Sequence, residues 1–340
     1  MKHHEHKQDL FWLNDMRFLA AIAIIVVHIS QPYFNQESTE YPPSWWIANL
    51  YLSASMWGVP VFVMISGALL LSPEREYPSL TDFYKRRLNR LFLPIFFWTL
   101  VYLVLLYLKN RSLGLPTTAD YFTISIVKGH PYYHMWYLYM VWGLYLFTPF
   151  LRKIVKSSTR MELLVLSIML MLLSIVATYF TDAHNQAFFL LMFPFFLGYY
   201  LAGYLISITD FYLSVPKFFL LLATLIGIII IGERLLPGHF MYNFSITMIT
   251  FSMLLMFLVK NNHKRIPFSH KLRKKLASFS LGAYLIHPAV LAVIRKFDYF
   301  GFPMEKHLYL SIPLLVVIVT LVSLAIAYTL SKLPLFHKVI

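Results

Sequence analysis

Between Leu308 and Ser331 the chain runs for 24 residues without one charged side chain. A helix needs about 20 apolar residues to cross the roughly 30 Å hydrocarbon core of a bilayer. Such runs recur. Ten apolar segments lie near 11–33, 45–72, 88–109, 132–151, 162–180, 186–208, 214–232, 240–260, 277–296 and 308–331. Only 13% of the 340 residues are charged, about half the share of an average soluble domain. So few charges cannot clothe a soluble globule of this size. A soluble enzyme, a disordered chain and a disulfide-stapled secreted domain are therefore excluded. The absence of Cys also rules out disulfides, a Cys nucleophile and Cys-ligated metal or Fe–S sites. The expected fold is an all-α polytopic membrane protein, one transmembrane domain over 1–340 with about ten helices.

Two segments need comment. The run 45–72 contains Gly58, Pro60 and Gly67 but no polar break, so it reads as one kinked span. The first run is interrupted by Asp15, Arg17 and His28, and no small-residue cleavage site follows. It reads as a retained span, not a signal peptide. The stretch 110–131 is the longest connection, and within it Tyr121–Val127 reads as a short amphipathic piece on the outer surface.

The net charge of +14 invites a nucleic-acid reading, but its placement argues otherwise. With both termini set in the cytoplasm, 21 Lys and Arg fall in inside segments and 7 in outside segments, Arg17 lying within the first span. The carboxylates divide evenly. An asymmetry confined to Lys and Arg is the signature of membrane topology. No nucleic-acid partner is expected. Membrane lipids are the expected surroundings, with Trp12, Trp45, Trp46, Tyr132 and Tyr133 as interfacial aromatics.

Ionisable groups within spans are costly and therefore functional candidates. Arg17 and His28 are eleven residues apart, which places them on one helix face about 16 Å apart along the axis. Arg17 would sit at the inner surface, to hold an anion, and His28 deeper, for proton or acyl chemistry. A snorkelling Arg and a hydrogen-bonded structural His would also fit. Asp15 is a candidate to orient Arg17. Arg87 and Arg90, before Pro94, share a face and suit a bidentate grip on phosphate, although basic clusters also serve simply as topology anchors. His134 and Trp136 open the fourth span. Ser280, Tyr284 and His287, spaced i, i+4, i+7, form a polar stripe, either lining a cavity or joining helices. Pro288 frees the carbonyl of Tyr284 from its helical bond. The run His3-His4-Glu5-His6 reads as solvated tail, and no metal site is expected. Pro194, Gly198 and Gly203 read as packing and kink residues.

Taken in order, these pieces resemble the acyltransferase-3 family of integral membrane acyltransferases. The Arg and His separated by ten residues appear as Arg17 and His28. Val59–Gly67 resembles the family's second-span segment, and Arg87 with Arg90 its basic pair. His134–Leu138 resembles the short His-x-Trp-Tyr-Leu segment, and Ser280, Tyr284 and His287 the late polar motif. The resemblance implies acetyl-CoA or another acyl-CoA as co-substrate, bound from the cytoplasm, with no permanently bound cofactor. It implies O-acyl transfer to a hydroxyl of a cell-surface polysaccharide or its lipid-linked precursor, in the bacterial cytoplasmic membrane. The chain looks like the short, single-domain members, those that modify exopolysaccharide, O-antigen or common antigen. On this reading His28 and Arg17 are the catalytic candidates, with His28 as the base. Arg17, Arg87 and Arg90 hold the CoA phosphates. Asp15, His134, Trp136, Ser280, Tyr284 and His287 line the acceptor side. A secondary transporter or lipid-linked glycan flippase is the competing class. Against it stand the missing internal repeats and the clustering of candidates near a phosphate-sized inner site.

Overall fold

The computed structural model describes residues 10–35, 41–73, 79–180, 188, 191–298, 307–334 and 336–340. Among them, every regular element is helical: α1 (Trp12–Phe34), α2 (Pro43–Ser53), α3 (Gly58–Leu70), α4 (Leu80–Leu113), α5 (Ala119–Val127), α6 (Trp136–Ser157), α7 (Arg160–Phe180), α8 (Leu197–Ile208), α9 (Val215–Leu235), α10 (Ile246–Asn262), α11 (His270–Asp298) and α12 (Leu308–Ser331). Short 3₁₀ turns, Phe193–Phe196 and His263–Arg265, lead into α8 and follow α10. The His3–His6 run lies outside the described residues.

Each of the ten apolar segments contains helix. Seven stretches are long and apolar enough to cross a membrane: α1, the joined pair α2–α3, α4, α7, α9, α11 and α12. The helices in the other three segments fall short for different reasons. At 12 and 17 residues, α8 and α10 are too short. With 22 residues α6 is long enough, but Tyr, Trp and its late Arg and Lys dilute its apolarity. The run 45–72 is one candidate span, as expected. Its break lies at Ala54–Trp57, where the Trp57 indole donates to the Ala54 carbonyl at 2.7 Å.

The chain forms two compact units, residues 1–69 with 202–324 and residues 70–201 with 325–340. In the first, α1 packs against α11 and α2. Gly58 starts α3 close against α1, where an added Cβ would lie 2.9 Å from Ile24. At Gly203 an added Cβ would lie 1.9 Å from the Met64 carbonyl oxygen, so the crossing of α8 over α3 tolerates no side chain there. Buried Glu233, near the end of α9, accepts from the backbone N–H groups of Gly238, Phe240 and Met241 at 2.7, 2.8 and 2.5 Å. One carboxylate thereby folds the loop that leads to α10. Lys260 similarly closes the end of α8, donating to the carbonyls of Ile206, Ser207 and Thr209.

In the second unit, Ser79 caps α4 by accepting from the Asp82 N–H at 3.1 Å, and Gly114 ends the helix at φ 66°. Thirty-four residues span about 51 Å, well beyond the hydrocarbon thickness, so the basic start of α4 has room to project from it. The expected piece at 121–127 is present as α5, capped by Thr118. Gly198 admits α7 closely, and Ser167 donates to its carbonyl at 2.9 Å. Arg152, counted above only as a topology charge, donates to the carbonyls of Leu70 and Ser72 at 2.7 and 2.8 Å.

The interfacial reading of two tryptophans needs correction. Trp12 and Trp45 are buried, with Trp45 enclosed by the rings of Phe34, Tyr41 and Trp46. Trp46 and Tyr133 are the exposed members of that set. An indole inside a bundle replaces lipid contact with ring packing, and sequence alone does not distinguish the two.

Candidate functional site

Helices α1 and α11 run parallel and meet at two polar points. At their N-terminal ends, Arg273 Nε donates to Asp15 Oδ1 at 2.7 Å, and Nη2 completes a two-pronged ion pair with Oδ2. Both residues are buried. The Phe11 ring covers the guanidinium, 4.8 Å from its centroid, and also meets the ring of His270. A charge taken out of water needs a partner and its remaining hydrogen bonds; here a fork-shaped donor, a carboxylate and an aromatic face supply them. Asp15, read from the sequence as a guide for Arg17, is held by Arg273.

The second meeting point lies about 20 Å along both helices. Asp15 to His28 is 13 residues and Arg273 to His287 is 14, or about 20 and 21 Å of rise, so both pairs come into register. The rings of His28 and His287 stack with centroids 5.3 Å apart and planes 18° apart. His287 is wholly buried, whereas His28 keeps part of its surface accessible. Tyr284 is buried beside them, its ring 5.9 Å from that of His287 and 6.5 Å from Phe62. Ser280, the third member of the stripe, is buried and turned back onto its own helix, donating to Leu276 at 3.2 Å.

Two prolines shape the backbone here. Pro288 has no N–H to give to the carbonyl of Tyr284. His287 Nδ1 donates to that oxygen instead, at 2.6 Å. Pro32 stands in the same relation to the carbonyl of His28, and Arg295 Nη2 donates to that oxygen at 2.7 Å. Arg17, half-buried on α1, lies between the two meeting points.

The second unit holds the other sequence candidates. On α4, Arg87 is half-buried and Arg90 exposed. His134 is buried among tyrosines, with Tyr102 edge-on at 4.7 Å and Tyr132 and Tyr133 at 5.9 and 5.6 Å. Trp136 lies 6.0 Å from Phe196. The Thr99 and Tyr139 hydroxyls are 2.9 Å apart nearby.

The structure therefore brings Asp15, Arg17, His28, Ser280, Tyr284 and His287 onto two adjoining helices. It places Arg87, Arg90, His134 and Trp136 in the other unit. Sequence reasoning missed Arg273 and Arg295, both counted as topology charges. In each case the sequence showed a need and not the residue that meets it. A buried Asp15 demands a cation, and a proline four residues after His28 leaves a carbonyl open.

Comparison with known proteins gives one result. The acyltransferase domain family, acyltransferase-3, matches residues 10–332. No curated protein and no solved structure gives a significant match. The match spans both polar meeting points and nearly the whole chain. This multi-pass membrane chain of apolar helices, with paired histidines between α1 and α11, belongs to the acyltransferase-3 family of acyltransferases.

Proposed function

We propose that this protein is an O-acyltransferase that moves an acetyl or similar short acyl group from cytosolic acyl-CoA to a hydroxyl of a cell-surface polysaccharide or its lipid-linked precursor, in the bacterial cytoplasmic membrane. The observation that carries this reading is the His28–His287 stack, set about three helical turns from a half-buried arginine on the same α1 face.

His28 serves as the base. As the acceptor oxygen bonds to the thioester carbonyl carbon, its proton passes to the His28 imidazole. The tetrahedral oxyanion collapses, the C–S bond breaks, and the departing CoA thiolate takes the proton back from His28. Arg17 holds a phosphate of the donor about 16 Å down the helix. Arg87 and Arg90, three residues apart on α4, are the second phosphate-binding candidates. Tyr284 and His287 support the reacting end of α1. Asp15 keeps α1 in register through Arg273. His134 and Trp136 are acceptor-side candidates.

The test is transfer of labelled acetyl from acetyl-CoA to surface glycan by the purified protein in lipid nanodiscs. His28→Ala should lower kcat by about 10²–10⁴, the range general-base catalysis supplies, with insertion unchanged. Retained transfer would refute the assignment. Paired Arg87→Ala and Arg90→Ala should raise the KM for acetyl-CoA by roughly 10- to 100-fold, the worth of one or two charge-assisted hydrogen bonds. An unchanged KM would return them to topology anchors.

A further inference from the structure

The two prolines lie four residues beyond the two carbonyls that grip the histidine pair. Pro32 follows His28, and Pro288 follows Tyr284. In an uninterrupted helix, both carbonyls would accept from the N–H four residues on. Here neither N–H exists, and both oxygens are used by side chains. The Tyr284 oxygen takes the His287 Nδ1 proton at 2.6 Å, and the His28 oxygen takes a proton from Arg295 at 2.7 Å.

We propose that Pro32 and Pro288 are positioning residues, each withholding a helical N–H so that the carbonyl it frees can fix one member of the histidine pair. At Pro288 the consequence is chemical. A carbonyl oxygen only accepts, so the bonded His287 nitrogen must carry hydrogen. The neutral ring then holds its proton on Nδ1 and its lone pair on Nε2. His287 thus presents one tautomer, in one orientation, to the stacked ring of His28. At Pro32 the consequence is mechanical. Arg295 on α11 grips the backbone of His28, so the base moves with the helix that carries its neighbour. Arg273 with Asp15 fixes the far end of the same pair, leaving the histidines clamped from both sides along the helix axis.

This inference rests on His28 being the base of the proposed reaction, and its test has one arm that needs no activity. Protein labelled with ¹⁵N-histidine in nanodiscs should show His287, identified by the signal lost in His287→Gln, as the Nδ1–H tautomer. In Pro288→Ala the helical N–H returns, and that tautomer should no longer be fixed. The kinetic arm uses the same variants. Pro288→Ala and Pro32→Ala remove a helix-breaking residue, so thermal stability should be kept or raised. The kcat of acetyl transfer should nevertheless fall about tenfold, with the KM for acetyl-CoA unchanged. A merely structural proline would not give lower turnover in a protein at least as stable. His287→Gln, whose amide can still donate to the Tyr284 carbonyl, should retain more activity than His287→Leu. An Nε2–H tautomer in the parent protein, or proline variants with unchanged kcat, would overturn the proposal. A tautomer lost in Pro288→Ala, together with no acyl transfer by the parent, would uphold the positioning device and refute the acyltransferase reading.

Discussion

Helices α1 and α9 belong to the same unit, yet their composition and burial run opposite to the habit of soluble proteins. α1 carries Asp15, Arg17 and His28 within its span, and 61% of its apolar stretch is buried. α9 is the more apolar of the two, yet only 22% of its stretch is buried. Phe219, Leu220 and Ile231 on α9 are at least 60% exposed. In water this would be inverted, because exposed apolar surface is unfavourable. In a bilayer the surroundings are as apolar as leucine, so polarity marks the inside of the bundle. α11, with its histidine and tyrosine stripe, behaves like α1 and is also 61% buried. The less apolar candidate spans are here the more deeply buried ones.

This contrast can be broken in several ways. The largest effect belongs to the polar seam. His28→Ala should remove most acetyl transfer, whereas Thr224→Ala, at an exposed α9 hydroxyl bonded only within its own helix, should leave the rate unchanged. Comparable rates in the two variants would erase the distinction. Next is the ion pair. Asp15→Asn leaves the Arg273 charge buried without its counter-charge, which costs about 3–5 kcal/mol. Thermal unfolding in detergent or nanodiscs measures the loss, and Asp15→Leu combined with Arg273→Met should recover most of it. Third, Ile228→Asp on the exposed face of α9 should cost about 3 kcal/mol by placing a charge against hydrocarbon. A normal insertion efficiency would show that this face does not meet lipid. The smallest effect is Gly227→Ala. No atom lies within 4 Å of the added methyl, and the exchange should stabilise α9 by roughly 0.5–1 kcal/mol through helix propensity. The same exchange at Gly203 would drive a methyl into the Met64 carbonyl.

Much of the fold was legible in the apolar runs, because a bilayer imposes length and apolarity locally, one segment at a time. The limits of that reading follow from the same physics. Segment 132–151 reads as apolar because it is rich in Tyr and Trp, yet those residues dilute its apolarity, and α6 falls below what a span requires on composition. The break within 45–72 falls at Ala54–Trp57, just before Gly58, because a turn can be held by an indole donating to backbone. Trp12 and Trp45 read as interface anchors because their amphipathic rings suit an interface, but ring packing inside the bundle suits them equally. At the candidate site, Arg17 with His28 and Ser280 with Tyr284 and His287 were legible because helical spacing puts them on common faces. Their partners were not. Nothing in the local sequence separates Arg273 and Arg295 from the many cations that set topology.

The sequence by itself determined that the chain is a multi-pass helical membrane protein, that it carries the acyltransferase-3 pattern, and which residues of α1 and α11 share a face. Those properties depend on composition and on a period of 3.6 residues, both local. Only the tertiary structure decided that α1 and α11 lie in parallel register, that Asp15 answers Arg273, and that His28 stacks on His287. It also decided which side chains take the carbonyls left open by Pro32 and Pro288. The pairings that join α1 to α11 link residues more than 250 positions apart. They follow from the demand that every buried charge and every freed carbonyl find a partner, and which partner comes within reach is settled only when the helices pack.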